Sequence, residues 1–325
     1  MSLKPIVMTP AYRYGAATPW GGNVLRTLYG QDIPDERTGE ALVFSALPGL
    51  NSRDQEGRTL TELIAEYGDA LLGSEVHEPV PLLLKLIDAH EDLSVQVHPD
   101  DEYAARVEHK QGKTEAWIIM GATPGARLVF GLRPGYSLEM LRSLCEQGSA
   151  IEEALNFMPV KAGDVLYIPA GTVHALGGGV LVYEIQQSSD VTYRFYDWNR
   201  KDKNGRGREL HIDKALDVTR LDIQPAKAEP CTVTAGDSGV LTRLLDAPYF
   251  TVDAYKDCSG MRLMPDRRRF GILTALRDGT ISAGGEKIFL KASQTALIPA
   301  DGEPVTLFGA SFLYAYPQTK GKDDE

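Results

Sequence analysis

Cysteine is scarce in this chain of 325 residues, and the three present, Cys145, Cys231 and Cys258, are odd in number and far apart. They supply neither a disulfide framework nor a thiolate metal site, which fits a reducing cytoplasm. Positive charge is short as well: 34 Lys and Arg stand against 45 Asp and Glu, a net charge of -11. Affinity for nucleic acid rests on Lys and Arg neutralising phosphates, so a nonspecific polyanion binder is excluded. A small anionic substrate is not, because a few cations in a cleft act within a Debye length of roughly 8 Å. Apolar runs long enough to cross a bilayer are missing, so no membrane association is expected. The start, MSLKPIVMTPAYRYG, lacks the basic end and apolar stretch of a secretory leader, and export is not expected. No Gly-rich loop followed by Lys and Ser or Thr is present, which argues against a nucleotidyltransferase activity.

The rest is ordinary for a folded protein, with 43% apolar and 24% charged residues, and the length suggests two domains or one large β domain with an appendage. To about Ser45 the chain is rich in Gly and Pro without helical periodicity and reads as extended segments joined by turns. Thr59 to Leu72 reads as one helix, with a capping box from Thr59 and Glu62 and with Gly73 as its end. From Pro81 the runs PLLLKLID, DLSVQVHP, TEAWIIMG, ARLVFGL, DVLYIPAG and GVLVYEIQQ are short, β-rich and punctuated by Gly, Pro and Asp. That texture belongs to a β sandwich or barrel. A helical insertion near 137–157 interrupts it, with caps at Ser137 and Ser149 and Gly148 between two helices.

Two prolines and small residues mark 221–235 as a linker. It divides a domain over 1–220, which carries the chemistry, from a second β module over 236–317; 318–325 is a tail expected to fray. A faint internal repeat links the two halves. KAGDVLYIPAGTVHAL (Lys161–Leu176) and KASQTALIPADGEPVT (Lys291–Thr306) share KA and IPA at an offset of 130, with Pro304 standing where His174 does. In that register the second module keeps strand and turn and lacks the imidazole.

Of six histidines, two sit in unusual company. In DLSVQVHPDD, strand periodicity places Ser94, Gln96 and His98 on one face and Val95 and Val97 on the other. Three polar groups facing a barrel interior cost a few kcal/mol unless partners or a metal satisfy them. Glu115 follows Lys113 by two residues and shares its face. His174 closes GDVLYIPAGTVHALGGG, in which Gly163, Pro169, Gly171 and His174 are spaced like the second metal motif of cupins, with Gly178 where that motif usually has Asn. Two imidazoles, a carboxylate and an amide oxygen make four N/O donors with room for a substrate. Zn suits the set, and Fe, Mn, Co and Ni suit it too. His77, His90, His109 and His211 lie among charged or loop residues and are expected to be solvated.

Assembled in this order, the residues resemble the short bacterial form of type I mannose-6-phosphate isomerases, in the cupin superfamily. The resemblance runs through Trp20–Gly22, RTGE (Arg37–Glu40), PLLLKLIDAHEDLSVQVHPDDEYA, GKTEAW, PAGTVHALGGG, EIQQSSDVTYRFYDWNRKD and RELH (Arg208–His211), most of the first 220 residues. It departs in GEALVFSAL, where Leu42 and Leu47 replace a Trp and a His common in the family. The resemblance implies a mainly β, cupin-type double-stranded β-helix (jelly-roll) barrel with a small helical insertion and a second, degenerate cupin-like β module without metal ligands. It further implies one Zn2+ per chain on Gln96, His98, Glu115 and His174. Lys85, Ser94, Lys113 and Arg194 would bind substrate, and Arg194, Lys113, Glu184 and Asp190 would serve catalysis. The implied reaction is cytoplasmic interconversion of D-mannose 6-phosphate and D-fructose 6-phosphate through a cis-enediol. An Fe dioxygenase on the same scaffold and a non-catalytic sugar-phosphate-binding cupin are the rival readings. Without the family, Asp190 and Arg194 are also readable as a structural ion pair and Lys85 as an edge-strand lysine.

Overall fold

The computed structural model describes residues 2–76, 80–223 and 225–319. Among them the strands form three antiparallel sheets, of six, five and nine strands. The six-stranded sheet runs Ala11–Tyr14, Thr38–Phe44, Leu82–Ala89, Val180–Gln187, Glu115–Ala122, Val165–Ile168. The five-stranded sheet runs Tyr193–Tyr196, Val95–Val97, His174–Ala175, Arg127–Leu132, Leu155–Pro159. Between the two lies a core that includes Ile87, Trp117, Ile119, Leu128, Phe130, Leu166 and Val182. This is the two-sheet jelly roll expected of a cupin.

Continuous apolar runs such as PLLLKLID arise because the six-stranded sheet is covered on both faces. Leu82, Leu84 and Leu86 belong to a core shared with Phe250, Val252, Ile272 and Leu313 of the nine-stranded sheet. Leu83, Lys85 and Ile87 face the other way, into a cavity between the two smaller sheets. The strand Val180–Gln187 splits alike: Leu181, Tyr183 and Ile185 point to the shared core, whereas Val182 and Glu184 point inward. Each fully buried Leu or Ile contributes about 1.5–3 kcal/mol, so both faces anchor the strand that carries the functional side chains. The outer face of the five-stranded sheet is covered by the helices Leu138–Glu146 and Ile212–Val218 and the 3-10 segment Gly148–Ala154.

The nine-stranded sheet uses both ends of the chain, since Ile6–Met8 pairs with Thr295–Ile298. The two copies of the internal repeat lie in different sheets: Val165–Ile168 in the six-stranded sheet and Thr295–Ile298 in the nine-stranded one are strands of equal length at the offset of 130, each between turns. We propose that 1–220 is the metal-binding catalytic domain and 236–317 a second β module packed on it through the shared core; strand pairing already begins at Cys231, inside the stretch read as a linker.

Three local expectations are corrected, and one strand change bears on the site. The capping box at Thr59 forms, but the helix Leu60–Tyr67 stops at Gly68, whose φ of 49° leaves the helical region, and Asp69–Leu72 is a separate turn. The N-terminal stretch contains a helix, Val24–Tyr29, too short to show a period. In the insertion Ser137 caps its helix, accepting from the Met140 N–H, whereas Ser149 lies inside a 3-10 segment that begins at Gly148. Glu184 and Arg194 do not share a strand: the chain passes from one sheet to the other around Ser188–Asp190. Residues 320–325 of the expected tail lie outside the described residues.

Candidate metal centre and substrate cavity

Parity holds on the strand Val95–Val97. The two valines pack toward the helices, and Gln96 faces inward between its ladder partners His174 and Arg194. From the opposite sheet, Glu115 opens its strand with Lys113 beside it. The ligand atoms of His98, Glu115 and His174 converge to within 4.8 Å of one another, and all three residues are buried. His174 Nε2 lies 3.2 Å from Glu115 Oε1, and His98 Nε2 lies 3.6 Å from Glu115 Oε2.

Backbone carbonyls on the far sides of the rings decide what these atoms offer. His98 Nδ1–H donates to the Val191 carbonyl and His174 Nδ1–H to the Thr172 carbonyl, each at 2.9 Å. Both Nε2 atoms then carry lone pairs aimed at one place. Glu115 Oε1 is buried with no hydrogen-bond donor, a cost of about 1–3 kcal/mol, and it faces the lone pair of His174. A cation between them turns that repulsion into coordination. The Lys113 ammonium already lies on the set, 2.5 Å from Glu115 Oε2 and 2.9 Å from His98 Nε2. Burial alone would raise the Glu115 carboxyl; the Lys113 ammonium outweighs it and holds the carboxyl well below the usual carboxylate range. Burial, and then Lys113, pushes the His98 imidazole well below its ordinary value. Neutral imidazoles beside an ionised carboxylate fit a divalent ion.

Gln96 stands next to this set, with Nε2 3.4 Å from His174 Nε2 and Oε1 accepting from the Ser94 hydroxyl at 3.4 Å. A half-turn of the amide exchanges its ends, presenting oxygen to the imidazoles and leaving the NH2 to Ser94. At Gly178, where the cupin motif usually has Asn, a Cβ would stand 3.1 Å from the His90 carbonyl oxygen, a tight contact that requires the neighbouring backbone to yield by a few tenths of an ångström.

The cavity opens beside the donors, and Ser94, Gln96, Lys113, Lys85, Glu184, Asp190 and Arg194 all line it. Lys85 is no edge residue. It lies buried on a central strand with Glu184 as its ladder partner, and its ammonium donates to Glu184 Oε1 at 2.8 Å. Trp117 Nε1–H donates to the other carboxylate oxygen at 3.0 Å. On the far side Lys85 lies 3.8 Å from Glu40, which pairs with Arg13 at 3.2 Å. Arg13, Glu40, Lys85 and Glu184 thus alternate in charge across four strands. Sequence reasoning passed over Arg13, Glu40, Trp117 and Arg208, all on the cavity wall. For Glu40 a signal was available, a carboxylate inside the apolar strand TGEALVF.

Asp190 sits at the rim, half-exposed and paired with Lys110 at 2.6 Å. The ion pair with Arg194 does not form. Arg194 enters no ion pair among the described residues, and its Nε is buried without a partner. Burial, and next the Arg208 charge, lowers the tendency of Arg194 to hold its proton. His90 and His109 are exposed as expected. His211 is not simply solvated: it is partly buried, and its Nδ1 accepts the Arg194 backbone N–H at 3.2 Å. His77 lies outside the described residues.

Residues 13–116 match the family model described as phosphomannose isomerase type I, catalytic domain. A mannose-6-phosphate isomerase of Streptococcus mutans is 39% identical over 285 residues, covering 86% of this chain and 88% of its own. One from Bacillus subtilis is 35% identical over 305 residues, covering 92% and 94%. The crystal structure of a mannose 6-phosphate isomerase from Bacillus subtilis superposes with a TM-score of 0.88 at 32% identity, over 97% of this chain and 99% of that one. Likeness of this extent, carried along almost the whole chain and joined to the His98, Glu115 and His174 cluster, places the protein in the type I phosphomannose isomerase family.

Proposed function

We propose that the protein is a zinc-dependent, cytoplasmic aldose-ketose isomerase that interconverts D-mannose 6-phosphate and D-fructose 6-phosphate through a cis-enediol. One observation carries the reading: a cation-demanding donor set, with the buried and unpartnered Glu115 Oε1, lies beside a cavity whose wall holds an unpaired guanidinium. The first suits a metal and the second an anion. His98 Nε2, His174 Nε2, Glu115 and the Gln96 amide oxygen would hold the ion, which when bound supplies Lewis-acid stabilisation of negative charge on sugar oxygens.

In the forward direction the open-chain aldose loses its C2 proton and the hydroxyl proton of O2, and C1 and O1 each gain one. Arg194 grips the phosphate or the developing negative charge, because a guanidinium offers a two-pronged contact. Lys113 adds a point charge beside the donors. We assign the carbon-bound proton to Glu184. It lies on the buried wall, Lys85 and Trp117 hold its carboxylate in one orientation, and each oxygen keeps a lone pair beyond those contacts. Asp190, at the rim and engaged by Lys110, is worse placed. Ser94 orients the Gln96 amide.

A coupled assay for fructose 6-phosphate formed from mannose 6-phosphate tests the reading. Activity is expected to vanish on chelation and to return with Zn2+; full turnover by metal-free protein would sink the metal assignment. Oxygen uptake without isomerisation would make the protein a dioxygenase, and hexose-phosphate binding without turnover a sugar-phosphate-binding cupin.

A further inference from the structure

We propose that the segment Arg208–His211 completes an anion seat with Arg194: Arg208 brings a second guanidinium to the substrate phosphate, and His211 is the positioning residue that sets Arg194 against the cavity. The inference rests on the hexose-phosphate reading above.

Arg194 lies on the outermost strand of its sheet, Tyr193–Tyr196, with one edge paired to Val95–Val97. His211 closes the other edge. Its backbone N–H donates to the Arg194 carbonyl at 2.8 Å, and its Nδ1 accepts the Arg194 N–H at 3.2 Å. Arg194 is therefore held from both sides of its backbone, which fixes the origin of its side chain. Nδ1 accepts only while the ring is neutral; a proton there would set two N–H donors against each other. The charged or titratable groups that face the ring are Arg194, Glu209, Lys214, Glu108 and Tyr193. Burial, then the Arg194 charge, lowers the imidazole below its ordinary value, so the accepting form persists at neutral pH.

Arg208 lines the same cavity. Asp197 grips it through Nε at 2.8 Å and Nη2 at 2.5 Å, leaving Nη1 outside that fork. The same carboxylate accepts from Arg200 at 2.9 Å. Arg200 also reaches Glu91 at 3.8 Å, so Asp197 is shared, Arg194 has no acid partner, and the stretch of wall with Arg194 and Arg208 carries surplus positive charge. Like charges set side by side are stabilised when an anion joins them, as planar guanidiniums do with phosphate.

The test uses the zinc-loaded enzyme. Arg208→Gln should raise KM for mannose 6-phosphate about tenfold or more with a much smaller change in kcat, and should weaken competition by inorganic phosphate by a similar factor. His211→Leu should lower kcat/KM about tenfold at unchanged zinc content, while His211→Asn, whose Oδ1 can accept the same proton, keeps most activity. At pH values where zinc is still stoichiometric, the parent should lose activity as pH falls through the folded His211 pKa, below about 6.5, and His211→Asn should lose that acid limb. Parent-like KM and phosphate inhibition in Arg208→Gln overturn the seat. An unchanged acid limb in His211→Asn, a readout independent of how well the leucine variant folds, overturns the positioning role. If the parent fails to isomerise mannose 6-phosphate, the activity reading falls on its own, and calorimetric phosphate affinities of parent and Arg208→Gln still decide the seat.

Discussion

His174 and His211 are both partly or wholly buried imidazoles whose Nδ1 meets backbone, and they differ in which way the proton points. His174 Nδ1 donates to a carbonyl and frees Nε2 for the metal donors, whereas His211 Nδ1 accepts from an amide. His174→Ala should therefore abolish stoichiometric zinc, measured by elemental analysis of the purified protein, and His211→Ala should keep it. Equal zinc in both would remove His174 from the ligand set. Arg194, with no acid partner, makes a cleaner case than the paired cations around it. Arg194→Ala should leave zinc content and melting temperature near the parent's while kcat/KM falls about a hundredfold, the loss of a charged contact of roughly 3 kcal/mol. A matching fall in kcat places the contact in the transition state, and a change confined to KM means uniform binding. Arg194→Lys should recover only part, because an ammonium cannot make the two-pronged contact.

The row Arg13, Glu40, Lys85, Glu184 exists only when four strands are in register. Removing one partner of a buried pair leaves the other charge uncompensated, which costs more than removing both. Lys85→Met should thus lower stability by about 3 kcal/mol in denaturant unfolding, and adding Glu184→Leu should restore a large part. Additive losses in the double variant would mean the two side chains do not stabilise each other. Local signals fared unevenly at this scale. Thr59 and Glu62 named the start of their helix because capping is a short-range hydrogen-bond pattern. The break at Gly68 was missed because apolar spacing continues across it to Leu71 and Leu72.

For the whole molecule, the proposed zinc ion and the proton would compete for the same atoms. His98 and Glu115 are both held below their ordinary pKa values, so in the folded protein they stay deprotonated to lower pH than free side chains. Stabilisation by zinc should be about 2.7 kcal/mol at a free ion concentration a hundred times Kd. It should be retained below pH 6.5 and be lost on further acidification, as protons take the ligands. The gap in melting temperature between zinc-loaded and stripped protein, followed across pH, reads this directly; a gap that closes already near neutrality would contradict the burial of the donors. The nine-stranded sheet matters to the same stability. A chain cut after residue 220 exposes Leu84, Leu86, Tyr183 and Ile185 and should aggregate, as seen by sedimentation.

The sequence by itself determined the donor types and the local geometry that presents them. QVH on a strand of period two, KTE at the next strand's start and the Gly-Pro-Gly turn before His174 are short-range patterns, and their outcome depends on backbone sterics alone. Cysteine scarcity likewise needed no fold to be read, and all three thiols are free. Tertiary structure decided what lies between strands. The same parity that placed Gln96 could not carry from Glu184 to Arg194, because Ser188–Asp190 switches sheets. They face one cavity only because the two sheets stack. The partner of Asp190 turned out to be Lys110, eighty positions away in sequence, and not Arg194 four away. The lone Arg194, the tautomer of His98 and the latch from His211 follow from contacts distant along the chain, whereas the tautomer of His174 is set two residues away by Thr172. Such contacts are fixed by burial of two opposed sheet faces at once, a condition that no window of sequence contains.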